Sequence, residues 1–449
     1  MKSFAALLRA LVLLSSLLSS VSRAADDDGA QLVPTSPRLT RLAREHFQNP
    51  QALTAFWAEM ESKAPLVESS DDVNTSLVTF LWRGSNDTTH VAVLGGMPAA
   101  NLLKPLTHLP GTDVWYLTET HSNEARFQYV FQLNGPDAVR MEWRAIMTSV
   151  GRYPPKRDPL NPRQFAGWSY VELPAAPPQP WIERHPDVPA GKLTKEKFKS
   201  DVLKAEYPLS IYIPPSANQT AEPAWLMIAL DGGFKPMETI LDNLLAAEKT
   251  PPIVVVGVGN LSDQSRQHDL ECSDEFLRML VEEVVPWARK TFHVYSDANH
   301  TIITGRSLGG KMSAYCGLKA SGVFGKILSQ SGSFLTAQRE ETPMPLWHAE
   351  PAGMLAREFA GTAKLPLEFY LEVGRYETTL PFSHLLETRR LRDVLEAKGY
   401  RVHYSEFVGG HNEVCWRGSF ADGLIALTDA AAQKTAAAPD TTRAERATR

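Results

Sequence analysis

Cysteine is almost missing from this chain, with three in 449 residues. So sparse and odd a set excludes a disulfide scaffold, and no His/Cys cluster with ligand spacing marks a metal centre. Positive charge is also short: 46 lysines and arginines face 51 aspartates and glutamates, a formal net charge of −5. A protein that holds a phosphate backbone by counterion release needs the opposite balance, so nucleic acid is not expected as a partner. No run reaches the ~20 apolar residues that span a bilayer, and there is no internal repeat. What is plentiful is core material. Hydrophobic residues make up 43% of a chain long enough for a large core or two domains, which excludes a disordered or collagen-like chain.

The first residues bear on compartment. Lys2 and Arg9 lead into the apolar run 10–18, followed by Ser22-Arg23-Ala24. A short apolar stretch with basic flank and small residues before the cut is the pattern of a cleavable export signal at 1–24. A soluble periplasmic or secreted protein is expected, with no membrane association after cleavage. Between Leu173 and Lys192 six prolines (Pro174, Pro177, Pro178, Pro180, Pro186, Pro189) remove backbone donors and forbid helix. This predicts a linker or extended strap at 173–192. The tail 430–449 is rich in Ala, Thr and Arg, has no apolar period and is expected to be disordered.

Between these marks the pattern changes once. A helical stretch at 37–63 precedes short β-type runs at Leu77–Trp82, Val114–Leu117 and Phe127–Phe131, which predict an immunoglobulin-like β-sandwich over 37–172. From 193 to 429 strands alternate with helices: Leu209–Ile213, Trp225–Leu230, Ile253–Val258, Thr301–Thr304, Lys326–Ser329, Glu368–Glu372 and Val402–Phe407. That alternation predicts an α/β sheet, largely parallel.

The sharpest local signal lies between one of these strands and a helical run. Gly305-Arg306-Ser307-Leu308-Gly309-Gly310 follows Thr301–Thr304 and precedes 311–318. It has the context of a nucleophile elbow, in which the turn leaves no room for flanking side chains and lifts the Ser307 hydroxyl above the sheet. The Leu308 N–H, at the helix start, is then an oxyanion donor. Serine needs a base, and of the twelve histidines His411 alone sits beyond the last strand behind two glycines. The orienting acid is open between Glu377, beyond its strand and preferred, and Glu372, at the strand end; a dyad with neither also fits. Gly232 and Gly233, after the strand Trp225–Leu230, are candidates for the second oxyanion donor.

With these residues in place the chain resembles the enterochelin (enterobactin) esterases, α/β-hydrolases that cleave the ester bonds of a tri-catecholate siderophore. The matching stretches are Leu230-Asp231-Gly232-Gly233, Arg266–Cys272, Gly305–Gly310, Leu328-Ser329-Gln330-Ser331-Gly332-Ser333 and Gly409–Gly418, the last including Cys415-Trp416-Arg417-Gly418. Upstream, Thr79–Arg83, Thr112–Thr118 and Asp158–Arg163 look like the family's amino-terminal domain. Three features depart from it. Long two-domain members are typically cytoplasmic, whereas this chain carries an export signal; Arg306 and Leu308 stand where the family often has Gln and Phe; Asp269 stands where it often has Glu.

The resemblance implies hydrolysis of a ferric catecholate trilactone, with iron entering only as part of the substrate and no cofactor. It also implies a ligand role for Arg266, Arg306 and Arg417 with Trp416, since a ferric tris-catecholate is anionic and guanidinium groups stack on aromatic rings. Cys272 and Cys415, both expected near the site, are a candidate disulfide, while Cys316 is expected to be a buried small hydrophobe. Two rival readings stay open: an exported carboxylesterase for a feruloyl or acetyl ester, and a siderophore- or glycan-binding protein with an inactive hydrolase domain.

Overall fold

The computed structural model describes residues 35–61, 63–95, 103–135, 151–215, 221–334, 353–378 and 383–428. The expected export signal and the tail from 430 lie outside them. The chain divides into two compact units, the first ending at Leu53. In that unit α1 (Pro37–Glu45) starts at Ser36, whose hydroxyl accepts the Leu39 N–H, and Pro37 takes the first helical position, where no N–H is missed. α2 (Ala52–Met60) spans the division between the units. The single helical stretch expected over 37–63 is thus two helices, with Asn49-Pro50 in the gap, because a residue before proline is pushed out of helical conformation.

The remaining chain builds two layered structures. The described residues between 66 and 172 form a β-sandwich. One antiparallel sheet has the order β1-β2-β6-β5, made of Leu66–Ser69, Thr75–Arg83, Val114–Ser122 and Thr107–His108. The other has the order β4-β3-β7-β9-β8, made of Leu103–Pro105, Val91–Gly95, Arg126–Leu133, Trp168–Glu172 and Gln164–Phe165. The two sheets close on Val78, Phe80, Val93, Phe127, Tyr129 and Phe131. The proline-rich segment 173–191 contains no strand or helix.

The second structure is an eight-stranded α/β-hydrolase sheet. Its strands are β10 (Lys192–Ser200), β11 (Ala205–Ile213), β12 (Trp225–Leu230), β13 (Ile253–Val258), β14 (Thr301–Arg306), β15 (Lys326–Gln330), β16 (Glu368–Gly374) and β17 (Arg401–Phe407). The order is β10-β11-β13-β12-β14-β15-β16-β17. β10 and β11 are antiparallel, as are β11 and β13, and every later pair is parallel. Alternation along β12 shows why the sheet is covered on both faces. Trp225, Met227 and Ala229 pack with Ile240, Leu244, Phe420 and Leu424 on one side, and Leu226, Ile228 and Leu230 with Leu280, Met312 and Phe359 on the other. The first layer is made by α3 (Met237–Ala246) and α10 (Glu413–Thr428). Opposite lie α4 (Asp263–Leu270), α5 (Asp274–Arg278), α6 (Val285–Thr291), α7 (Leu308–Lys319), α8 (Met354–Gly361) and α9 (His384–Ala397). A π-helical turn, Met279–Val284, joins α5 to α6. No helix among the described residues is long and apolar enough to cross a membrane.

Candidate active site

β14 runs near the middle of the sheet and delivers Ser307 at its carboxyl end. Ser307 has φ 57° and ψ −120°, a conformation L-residues avoid. The surroundings hold it there. The Ser307 N–H donates to the Gln330 carbonyl at 3.0 Å, and a Cβ on Gly305 would come within 2.4 Å of the Gly309 carbonyl carbon. Glycine at 305 is therefore required by the close crossing of strand and helix. Ser307 is half-buried, and Leu308 is the first residue of α7.

His411 follows β17 on the loop 408–412. Its Nδ1 donates to Glu377 Oε2 at 2.6 Å, which leaves Nε2 as the free ring nitrogen. Glu377 is the residue beyond β16, and its side chain is 1% exposed. Its other oxygen accepts the Ser331 hydroxyl at 2.6 Å and the Gly374 N–H at 2.8 Å. Burial alone would raise its pKa, but the charge and hydrogen bond of His411, with His384 and Ser331, outweigh that and hold the carboxyl below the usual range. Glu372 lies inside β16, fully buried, and is bonded to Gln330 Nε2 (2.8 Å) and Ser419 Oγ (2.7 Å) with no bond to His411. Burial pushes it up to about 8. Of the two open acids, the structure brings Glu377 to the histidine.

Ser307 Oγ lies 3.2 Å from Ser333 Oγ, and that oxygen lies 3.1 Å from His384 Nε2. His384 packs 4.6 Å from the His411 ring, centroid to centroid, with Nδ1 3.9 Å from Glu377 Oε2. His384 is a residue that sequence reasoning misses. It belongs to no motif, and only its place just after the helix cap Ser383, downstream of the acid, could have singled it out. Among the described residues Glu377, His384 and His411 are the one group of ligand-type side chains with atoms mutually within 4.8 Å. The inner atoms of that group are already joined by the carboxylate–imidazole hydrogen bond.

Several expected roles need correction. The Gly232 N–H donates to the Val258 carbonyl at 2.7 Å and is not free for an oxyanion, whereas that of Gly233 makes only a long turn contact, 3.4 Å, to the Leu230 carbonyl. Trp416 and Arg417 are on α10, not a loop, and both are buried. Trp416 stands edge-on to His411 at 4.7 Å and donates to Ser331 Oγ at 2.8 Å. Arg417 points into the β-sandwich, over Phe165 (4.5 Å) and Tyr170 (5.1 Å), with its Nε on Gln179 Oε1. Arg266 and Arg306 do lie by the serine loop, but each has a carboxylate partner, Asp231 and Glu413 respectively. Arg306 also stacks between Phe234 (4.6 Å) and Trp416 (5.6 Å). The Cys272–Cys415 disulfide is absent. All three cysteines are free; Cys415 donates its thiol to the Arg126 carbonyl of the sandwich at 3.2 Å, and burial pushes both Cys272 and Cys415 up to about 12.

The sandwich also touches the histidine loop directly. The Arg126 N–H donates to the Val408 carbonyl at 3.1 Å, and Val408 and Tyr376 pack against the sandwich core. Gln179, from the proline-rich segment, donates to the Val414 carbonyl at 2.9 Å.

Residues 200–427 match the family described as "Putative esterase", and residues 77–182 match "Enterochelin esterase, N-terminal". The iron(III) enterobactin esterase of Dickeya dadantii is 29% identical over 84% of this chain and 94% of its own. Among solved structures, the ferric enterobactin esterase of Salmonella typhimurium superposes with a TM-score of 0.71 at 25% identity, covering 83% of this chain and 98% of that one. The enterobactin esterase of Shigella flexneri, solved in the presence of enterobactin, gives 0.68 at 25% identity over 83% and 97%.

Proposed function

The chain belongs to the "Putative esterase" family, and on that premise we propose that it hydrolyses the ester-linked trilactone of a catecholate siderophore of the enterobactin type, releasing its iron. The observation that carries this reading is the combination in one chain of a serine elbow with a hydrogen-bonded imidazole–carboxylate pair and a match to the enterochelin-esterase amino-terminal domain.

In this reading Ser307 Oγ attacks a lactone carbonyl while His411 Nε2 takes its proton and Glu377 stabilises the resulting imidazolium. The oxyanion is met by the N–H groups of Leu308 and Gly233. Collapse breaks the ester C–O bond, and His411 returns the proton to the departing serine hydroxyl of the trilactone. His411 then activates a water that cleaves the acyl-enzyme and restores Ser307. Opening the ring removes the linkage that keeps three catechols at high effective concentration around one iron, so affinity falls. Arg306, stacked on Phe234 beside the nucleophile, is the guanidinium we assign to the anionic catecholate, in exchange with Glu413. No cofactor is required in this scheme, since the metal is substrate-borne. We place the reaction outside the cytoplasm, on the strength of residues 1–24.

The test is chromatography of ferric and iron-free enterobactin incubated with wild type and Ser307→Ala, using protein from the exported fraction, whose amino terminus is expected at Ala25. Wild type should give linear catechoyl-serine products, and Ser307→Ala should turn over more slowly by on the order of 10⁶. Intact trilactone with a wild type that still cleaves simple aryl esters would discard the siderophore and keep the hydrolase.

A further inference from the structure

The mechanism above leaves a second imidazole without a task, although it is held against the first. The geometry points to Ser333 and His384 as a hydrogen-bonded arm that fixes the Ser307 hydroxyl and keeps its lone pair free for attack. Ser333 touches the nucleophile, and His384 is a positioning residue that acts through Ser333. The inference rests on the reading of Ser307 as nucleophile.

Ser333 is pinned to Ser307 twice. Its N–H donates to the Ser307 carbonyl at 2.9 Å, and its hydroxyl lies 3.2 Å from Ser307 Oγ. A side chain at Gly332 would run into the Phe334 ring at 2.4 Å and Ser329 Oγ at 2.7 Å, so glycine permits the tight turn that presents Ser333. His384 is the first residue of α9, set by the Ser383 hydroxyl accepting the Leu386 N–H. Its Nδ1 faces Glu377 Oε2, which favours the proton on Nδ1 and makes Nε2 the acceptor.

The polarity of the arm follows. Ser333 has one proton, and a neutral His384 takes it. Ser333 then can only accept from Ser307 and cannot donate to it, so in the resting site it locates Oγ by the Ser307 proton and leaves the attacking electron pair free; Ser307 gives that proton up to His411 Nε2 when attack begins. A protonated His384 would reverse this, turning the Ser333 proton onto the nucleophile. The site holds His384 neutral: burial, then the neighbouring His411, push it down to about 4 against the opposing pull of Glu377. The remaining charges close by on α9, Glu387 and Arg390, are paired with each other. With the ring centroids 4.6 Å apart, only one of the two imidazoles can become cationic in turnover, and that leaves the positive charge to His411.

The experiment measures the second-order rate at which a fluorophosphonate probe labels Ser307, with kcat and KM for p-nitrophenyl butyrate. Ser333→Ala and His384→Leu should each slow labelling and kcat by about 10- to 100-fold with KM within about twofold, and His384→Gln, which keeps an acceptor, should recover to within about fivefold of wild type. Wild-type rates in Ser333→Ala and His384→Leu would overturn the arm. So would a His384→Gln variant as slow as His384→Leu, since the loss would then come from packing. Should His384→Leu fail to fold by circular dichroism, Ser333→Ala decides alone, with rates within twofold of wild type overturning the proposal. A wild type that the probe does not label at all would remove the nucleophile reading itself, and the arm with it.

Discussion

Ser307 and His411 are held by different means. Ser307 is fixed by its own neighbourhood: Gly305 and Gly309 let strand cross helix, and the strained φ is locked by the backbone of the adjacent strand β15. The His411 loop has two glycines and is held by residues far away in sequence. Arg126 bonds Val408, the Arg126 carbonyl receives the Cys415 thiol, Gln179 ties α10 to the proline-rich segment, and Arg417 ties it to the sandwich. The serine half of the site is thus a local device, whereas the histidine half depends on the amino-terminal domain. The sandwich packs against Tyr376 and Val408, near Glu377 and His411 in the chain.

The sharpest way to break the comparison is at the carboxylate that joins the two halves. Glu377→Gln should lower kcat by about 10³- to 10⁴-fold, because the imidazole loses its orienting charge. Glu372→Gln, five residues earlier and equally buried, should stay within about threefold on the same aryl ester. Equal losses in both would mean that Glu372 also acts on the histidine.

Next in size is the domain coupling. Arg417→Ala removes a guanidinium held between two sandwich rings and bonded to Gln179, so stability should fall by about 2 kcal/mol in urea unfolding. Its kcat should fall roughly tenfold as the histidine loop loosens. An unchanged kcat in the destabilised variant would show that the loop stands without the sandwich.

The smallest effect tests the two acids as stability terms. Glu372 titrates near 8 in the fold against a reference of 4.5. The folded state therefore keeps a proton that the unfolded chain has lost, so this contribution is fully present below pH 4.5 and is lost as pH rises toward 8. Glu372→Gln should flatten the decline of Tm across that window and raise Tm at pH 8 by a few degrees. Glu377 has its pKa lowered, and its contribution runs the other way, present above the ordinary carboxylate range and lost on acidification.

The local device is also the part that could be read in advance. Glycines at fixed offsets around a serine, between an apolar strand and a helix, announce an elbow because sterics act within a few residues. Alternating apolar runs located β11 to β17 for the same reason. β10 escaped, since Lys192–Ser200 is a lysine-rich edge strand with no apolar alternation, as an exposed edge requires. The choice between Glu372 and Glu377 turned on where β16 ends, and it runs on to Gly374, which buries Glu372 within the strand. The resemblance implies a ligand role for Trp416 and Arg417, and sequence does not show that both are buried on α10. His384 and Ser333 became visible only once two loops met in space, and no spacing rule encodes that meeting.

The chain order gives the sandwich contacts a meaning in time. Synthesis delivers the amino-terminal domain first, then the serine, the acid and last the histidine loop with α10. When Val408 and Cys415 emerge, the Arg126 backbone that receives them belongs to a domain already able to fold. The older half of the polypeptide can serve as a mould for the younger, and hydrolytic competence arrives only when the final helix has seated.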